Sequence, residues 1–261
     1  MRKTALITGA STGIGKELAK EFAKDKIDVI LVARSKDLLE ANAKELEANY
    51  NIKAYTYAMD LSLASSADEL YQKTKAEDFE VEYLINNAGF GDYGYFAQSK
   101  LSKQEEMINL NILTLTKLTH LYVQDMKTRK SGTILNLAST ASFQPGPLMS
   151  VYFATKHFVL AFSEAIAEEL KQYNIKVCTL CPGPTESGFA KLADMSENSF
   201  LEPSKNKIPT SAEVAYYGYQ KMKQGKVVFI HGFFNALMAN LVRFAPRSLV
   251  RKTAYSMMKE G

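Results

Sequence analysis

The chain has no tryptophan, two cysteines and three histidines among its 261 residues. Two cysteines cannot make a disulfide framework, which points to a reducing, intracellular setting. Cys178 and Cys181 form a C-x-x-C pair, but both fall on one apolar strand pattern that ends at Pro182. His120, His157 and His231 stand at no ligand spacing, so no metal site is expected and the thiols read as structural. No Pro/Gly/Ser-rich linker, internal repeat or low-complexity tract divides the sequence. No run reaches the roughly 18 apolar residues of a membrane span. The opening MRKTALITGA enters a strand pattern at once and lacks the apolar segment and cleavage site of a signal peptide. A cytoplasmic location is therefore expected.

Charge of one sign is scarce except at one end. The net charge is +4, from 32 basic and 28 acidic residues. From Arg243 onward there are five bases (Arg243, Arg247, Arg251, Lys252, Lys259) and one acid, Glu260. Removing those five from 32 and the one from 28 leaves 27 of each, a balanced body. That balance excludes a basic nucleic-acid-binding face on the main domain.

What is present is an alternation. Apolar runs rich in β-branched residues predict strands over 4–8, 28–33, 53–58, 83–86, 133–138, 176–181 and 227–230. Helical patterns lie between them, over 13–24, 36–49, 65–75, 103–127, 151–173 and 211–223. Strand–helix alternation predicts a parallel sheet with right-handed crossovers. Nearly continuous apolar strands predict helices on both faces. The fold class is therefore α/β: a doubly wound Rossmann-type parallel sheet of about seven strands with a C-terminal helical extension. Residues 1–232 read as the catalytic domain and 233–261 as the extension. The irregular stretch 182–209 follows a strand's C-terminal end, where open α/β sheets bind ligands, and reads as a substrate loop.

The first strand runs into Thr8-Gly9-Ala10-Ser11-Thr12-Gly13-Ile14-Gly15 and then a helix. Closely spaced glycines let the backbone approach a pyrophosphate, and the helix N-terminus supplies free N–H groups and a positive dipole end. Gly9 would make the turn, Gly13 the close approach and Gly15 the packing of helix on sheet. A glycine-rich turn with no ligand has the same composition. The second strand ends Ala33-Arg34, where an NAD-selective fold usually has an acid. A guanidinium suits a 2′-phosphate, so NADP(H) is expected over NAD(H). A solvated surface arginine is the alternative.

Strand 5 ends at Ser139, and Tyr152 and Lys156 follow four residues apart on a helical stretch. That spacing places the last two on one helix face. A phenol near its usual ~10 is a poor acid–base catalyst at neutral pH, and a nearby ammonium would lower it. Ser139 can donate to a substrate oxygen on which charge develops. On spacing alone, a snorkelling lysine beside a packed ring fits as well.

With Thr8–Gly15, Asn86-Asn87-Ala88-Gly89, Asn111, Ser139, Tyr152, Lys156 and Pro182-Gly183 in order, the chain resembles the short-chain dehydrogenase/reductase family over essentially its whole length. The resemblance implies hydride transfer between a nicotinamide and a ketone or secondary alcohol. It makes Tyr152 the acid in reduction and the base in oxidation, and gives Lys156 a contact with the nicotinamide ribose. Ser139 orients the carbonyl, and Asn111 holds a water that relays protons to Lys156. The turn residues Gly9, Ser11, Thr12, Gly13, Ile14 and Gly15 would hold the cofactor's phosphates. Asn87, Ala88 and Gly89 would line the adenosine side and Asp60 would touch the adenine. The family carries a threonine four residues after the glycine of Pro182-Gly183. Ser187 stands there, and Thr185 could share its carboxamide contact. The extension resembles that of bacterial reductases similar to long-chain 3-oxoacyl and steroid reductases. A homodimer or homotetramer through 103–127 and 151–173 is also implied. A dinucleotide-sensing protein without turnover, or an epimerase or isomerase, uses the same fold.

In the tail, Phe234, Leu237, Met238, Leu241 and Ala245 follow helical spacing, Pro246 breaks it, and Leu249, Val250, Thr253, Ala254, Met257 and Met258 resume it. Such a basic amphipathic pair can pack on the domain or a partner, or lie weakly on a membrane surface. Phe90, Tyr93, Tyr95, Phe96, Phe143 and Phe189 are expected to rim the crevice and suggest an apolar small-molecule substrate.

Overall fold

β-Branched and leucine-rich runs pair into one parallel sheet in a computed structural model that describes residues 3–189, 193 and 208–259. The strands are β1 (Thr4–Thr8), β2 (Asp28–Ala33), β3 (Ala54–Ala58), β4 (Val81–Asn86), β5 (Gly132–Leu137), β6 (Ile175–Cys181) and β7 (Val228–Ile230). Their order is β3-β2-β1-β4-β5-β6-β7, with every pairing parallel. The chain winds outward one way from β1 through β3, then returns to the other side of β1 as β4. That reversal opens a crevice at the carboxyl ends of β1 and β4, the usual ligand position of such sheets.

Alternate strand residues serve opposite faces. Ala5, Ile7, Val29 and Leu31 pack against Leu18 and Phe22 of α1 (Gly13–Lys24), Leu39 and Leu46 of α2 (Lys36–Tyr50), and Tyr219 and Met222 of α7 (Ser211–Lys223). Leu6, Ile30, Val32 and Leu84 pack against Leu70 of α3 (Ser66–Ala76), Tyr122 and Met126 of α5 (Leu115–Arg129), and Ala167 of α6 (Ser150–Leu170). Both faces are therefore covered, as the continuous apolar runs require.

One difference from the sequence reading, and one choice it left open, bear on function. The helix predicted over 103–127 is α4 (Leu101–Ile108) and α5 joined by a π-helical segment, Asn109–Thr114. Such an expanded turn re-aims side chains and leaves no trace in a 3.6-residue apolar period. The tail folds as α8 (Phe233–Leu241), a 3₁₀ turn over Val242–Phe244 and α9 (Arg247–Lys259). Its break falls at Pro246, whose carbonyl accepts from Leu249 and Val250. Ala239, Ala254 and Met258 of the tail are buried. One face of the extension is thus docked on the body of the domain. Among the described residues no helix is long and apolar enough to cross a membrane. Most of the predicted substrate loop, 190–192 and 194–207, lies outside the described residues.

Candidate active site

The turn after β1 is held by the segment after β4. The Thr8 hydroxyl donates to the Ile85 carbonyl at 3.2 Å and accepts from the N–H groups of Asn87 and Ala88, each at 3.0 Å. The Asn87 carboxamide donates to the carbonyls of Thr8 (2.8 Å) and Gly9 (3.1 Å). Gly9 has φ +67°, and a Cβ there would come within 2.7 Å of that carboxamide nitrogen. A Cβ at Gly15 would strike the Gly9 carbonyl. Gly15 therefore admits the helix to the turn more than to the sheet. The Asn42 side chain secures the outer edge, donating to the carbonyls of Ala10 and Ser11. The result is a rigid cradle beneath the N-terminus of α1, shaped to fit a dinucleotide's phosphates. Asn42 is a site-building residue that the sequence reading missed, and Thr8, read there only as the start of the glycine turn, gains its role from partners as distant as Ile85; those bonds span 32 and 77 residues.

A single cavity of about 1510 Å³ runs from this cradle across the sheet's carboxyl ends. Gly9, Ser11, Thr12, Gly13 and Ile14 line it, as do Asn87, Ala88 and Gly89. Arg34 and Asp60 line the same end. Arg34 is exposed at the tip of β2. Burial pushes the Asp60 carboxyl up, but two hydrogen bonds from Ser62 (2.9 and 2.7 Å) and the charge of Arg34 outweigh it. Asp60 ends below its ordinary value. Pro182, Gly183, Thr185 and Ser187 line the opposite wall. Thr185 Oγ1 donates to the Gly183 carbonyl at 2.9 Å, while Ser187 Oγ accepts from the Phe189 N–H at 3.3 Å.

Ser139, Tyr152 and Lys156 meet midway along the cavity. Ser139 caps a short 3₁₀ turn, accepting from the Ala141 N–H at 3.1 Å, and is the hydrogen-bonding neighbour of the Tyr152 phenol. Lys156 Nζ lies 5.8 Å from the centre of the Tyr152 ring and donates to the Leu137 carbonyl at 2.8 Å. Burial dominates both titrations. It pushes the phenol up to about 12, against the Ser139 hydrogen bond, and pulls the ammonium down to about 8. The expected depression of Tyr152 by Lys156 is therefore not the governing effect in this arrangement. Desolvation disfavours both charged forms, and the protein by itself favours a neutral phenol. Tyr152 is only half-buried and faces the cavity, so water there moderates the upward push.

Asn111 is buried at the π-helical turn, with its carboxamide fully engaged. It donates to the Phe90 carbonyl (3.0 Å) and to Thr155 Oγ1 (3.1 Å), and accepts from the Phe90 N–H (3.2 Å). Thr155 in turn donates to the Tyr152 carbonyl at 2.7 Å. The side chain of Asn111 thus braces the turn that carries Tyr152. The sequence reading made it a water holder for Lys156. Its side-chain hydrogen bonds to Phe90 and Thr155 are a second, bracing role that the sequence reading did not name.

Beyond Tyr152 the cavity becomes apolar. Phe189 packs on Tyr152 at 5.1 Å between ring centres, and Met149 and Met258 join that cluster. Of the six aromatics expected at the rim, Phe90, Phe143 and Phe189 line the cavity. Tyr93 instead binds the tail, the Tyr95 hydroxyl meets that of Tyr255 in the tail at 3.5 Å, and Phe96 is exposed. From the tail, Phe234, Met238, Leu249, Val250 and Met257 complete the wall. Asn235 covers the Pro182-Gly183 turn so closely that a Cβ on Gly183 would strike it.

A family model described as short chain dehydrogenase matches residues 3–198. The chain belongs to the short-chain dehydrogenase family. It is 31% identical over 261 residues to the very-long-chain 3-oxoacyl-CoA reductase of Rattus norvegicus, covering 98% of this chain and 79% of the rat protein. The NADPH complex of a short-chain dehydrogenase from Sphingobium yanoikuyae aligns with a TM-score of 0.84 at 29% identity, over 95% of this chain and 94% of that one. A bulky-bulky ketone specific alcohol dehydrogenase from Comamonas testosteroni aligns with a TM-score of 0.79 at 27% identity, over 93% and 92%. The dehydrogenase is thus an oxidoreductase acting on CH–OH and C=O groups, with a fold that takes a nicotinamide cofactor.

Proposed function

We propose that this dehydrogenase uses NADP(H) to interconvert a ketone and a secondary alcohol on a substrate with a long or bulky apolar part, of the 3-oxoacyl type. The observation that carries the reading is the one cavity, polar at the glycine cradle, chemical at Ser139–Tyr152–Lys156 and apolar beyond. The cradle residues Gly9, Ser11, Thr12, Gly13 and Ile14 would hold the phosphates, with Gly15 packed beneath them, and Arg34 a 2′-phosphate. Asp60, Asn87, Ala88 and Gly89 would border the adenosine. Tyr152, Lys156, Pro182, Gly183, Thr185 and Ser187 would border the nicotinamide end. When bound, the nicotinamide supplies hydride to a carbonyl carbon or accepts it from a carbinol carbon.

The chain's own residues handle the oxygen. Ser139 donates its hydroxyl hydrogen to the carbonyl oxygen and fixes its position. Tyr152 delivers the phenolic proton to that oxygen in reduction and removes it in oxidation. Lys156, held by Leu137, stabilises the phenolate left behind once its ammonium is charged. Once a substrate fills the cavity, Met149, Phe189 and the tail side chains screen the reacting centre from water. Similarity to a very-long-chain 3-oxoacyl-CoA reductase and to a bulky-ketone dehydrogenase supports the apolar substrate. The complete Ser139–Tyr152–Lys156 set favours turnover over a purely sensing role.

The test is a cofactor-oxidation screen of 3-oxoacyl thioesters, steroid ketones and small ketones with NADPH and NADH. The expected result is NADPH-linked reduction of the larger apolar ketones. Tyr152→Phe should abolish turnover while retaining NADPH binding, and Arg34→Ala should lose the preference for NADPH. Equal affinity for the two cofactors in the wild type would remove the role given to Arg34. Turnover retained by Tyr152→Phe would remove that of the phenol.

A further inference from the structure

The C-terminal helices have two apolar faces, and the cavity uses one. Phe234, Met238, Val242 and Val250 line it. Phe233, Leu237, Leu241 and Phe244 do not. The spacing of the first three forms a stripe along α8, and Phe244 follows in the 3₁₀ turn. All four are exposed, Phe233 by 86% and Phe244 by 87%. Scattered surface leucines are ordinary, but a contiguous apolar stripe with two phenylalanines almost wholly in solvent marks an interaction surface.

The charge around this stripe identifies what it fits. Between Phe233 and Lys259 there are five bases and no aspartate or glutamate. Arg243, Arg247, Arg251, Lys252 and Lys259 are all exposed, whereas on the rest of the chain bases and acids balance. A second copy docked here about a two-fold axis would bring the same cations against themselves. An anionic lipid surface satisfies both features, taking the phenylalanines into its acyl boundary and the cations onto its headgroups. The position of the cavity mouth adds a third observation. Phe234, Met238, Leu249 and Met257 line the cavity and are also exposed, so one opening of it lies on the side of the molecule formed by the extension.

We infer that α8 and α9 seat this enzyme on an anionic lipid surface, with the mouth of the substrate cavity on the seated side. An apolar ketone then passes from lipid to Tyr152 without crossing bulk water. That last clause rests on the substrate reading above; the seating does not.

The full-length protein is sedimented with vesicles of phosphatidylglycerol and phosphatidylcholine in equal parts, and with phosphatidylcholine alone. Binding is expected with the anionic vesicles and should weaken as salt screens the cations. Two variants carry the test, Phe233→Ser with Phe244→Ser, and Arg243→Glu with Arg247→Glu and Arg251→Glu. None of these five residues lines the cavity, so turnover of a small water-soluble ketone reports an intact fold. Each variant should lose vesicle binding by about tenfold or more. No pelleting of the wild type, equal pelleting with phosphatidylcholine alone, or wild-type pelleting of the phenylalanine variant would each overturn the proposal. So would a wild-type dimer that Phe233→Ser with Phe244→Ser disperses, in the absence of lipid binding. Vesicle binding that responds to both variants, in a protein that reduces no ketone, would uphold the seating and reject the reaction reading.

Discussion

The Tyr93 hydroxyl donates a 2.6 Å hydrogen bond to the main-chain oxygen of Met258, 165 residues away. The bond ties the loop after β4 to the last turn of α9, and the Met258 side chain packs beside Met149 at the catalytic end of α6. The extension is therefore part of the cavity wall.

Tyr93→Phe removes that donor and keeps the ring. A partly buried hydrogen bond of this kind contributes about 1 kcal/mol, enough to loosen α9 without unfolding the domain. KM for a long apolar ketone should rise severalfold while kcat on a small ketone stays level. Steady-state kinetics on the two substrates reads this directly. A uniform loss on both would mean that the bond supports the fold instead of the wall.

Gly9→Ala tests the cradle. At φ +67° an L-residue costs roughly 1–2 kcal/mol, and the added Cβ would also displace the Asn87 carboxamide. The variant should fold with a lowered Tm and lose most of its dinucleotide affinity, measured by NADPH fluorescence titration. Wild-type affinity would contradict a backbone cradle.

Thr155→Val tests the brace between Asn111 and Tyr152. Thr155 is buried and joins the two by hydrogen bonds of 3.1 and 2.7 Å. Stranding the Asn111 donor should cost about 1–3 kcal/mol. Turnover should fall more than cofactor affinity, with Thr155→Ser restoring both stability and kcat. If Ser rescues stability and leaves kcat low, the hydroxyl supports the fold and the threonine methyl supports turnover.

Lys156→Met tests the electrostatics. Burial brings the Lys156 ammonium down to about 8 from its usual 10.5. A cation disfavoured by folding destabilises the protein fully below pH 8, and the penalty fades as pH rises towards 10.5. Replacing it with methionine should raise stability at pH 7 by on the order of 1 kcal/mol, after the lost bond to Leu137 is counted. The advantage should shrink by pH 10. Urea unfolding at the two pH values checks the sign, and the variant should be inactive at both.

The succession of strands and helices and the cradle were legible because their signals are local. The apolar runs gave six of the seven strands to within one residue at either end, and the fourth began two residues early, at Val81. Thr8–Gly15 could be read as a strand–turn–helix junction because glycine spacing and helix onset lie within eight residues. The π turn at Asn109–Thr114 left no such trace, since one helical insertion barely shifts an apolar period. The partners of Asn111 were illegible for the same reason.

By itself the sequence determined which reactive groups the chain carries and in what order it presents them. Ser139, Tyr152, Lys156 and Arg34 are chemical choices, written in residue type and short spacing. Only the tertiary structure decided what those groups experience. Burial sets the direction of the Tyr152 and Lys156 titrations, and burial is a property of all the elements packed around them. The two faces of the tail were likewise equivalent as a helical pattern. They became different when Tyr93 and Met149 took one of them, because docking depends on contacts between segments more than a hundred residues apart.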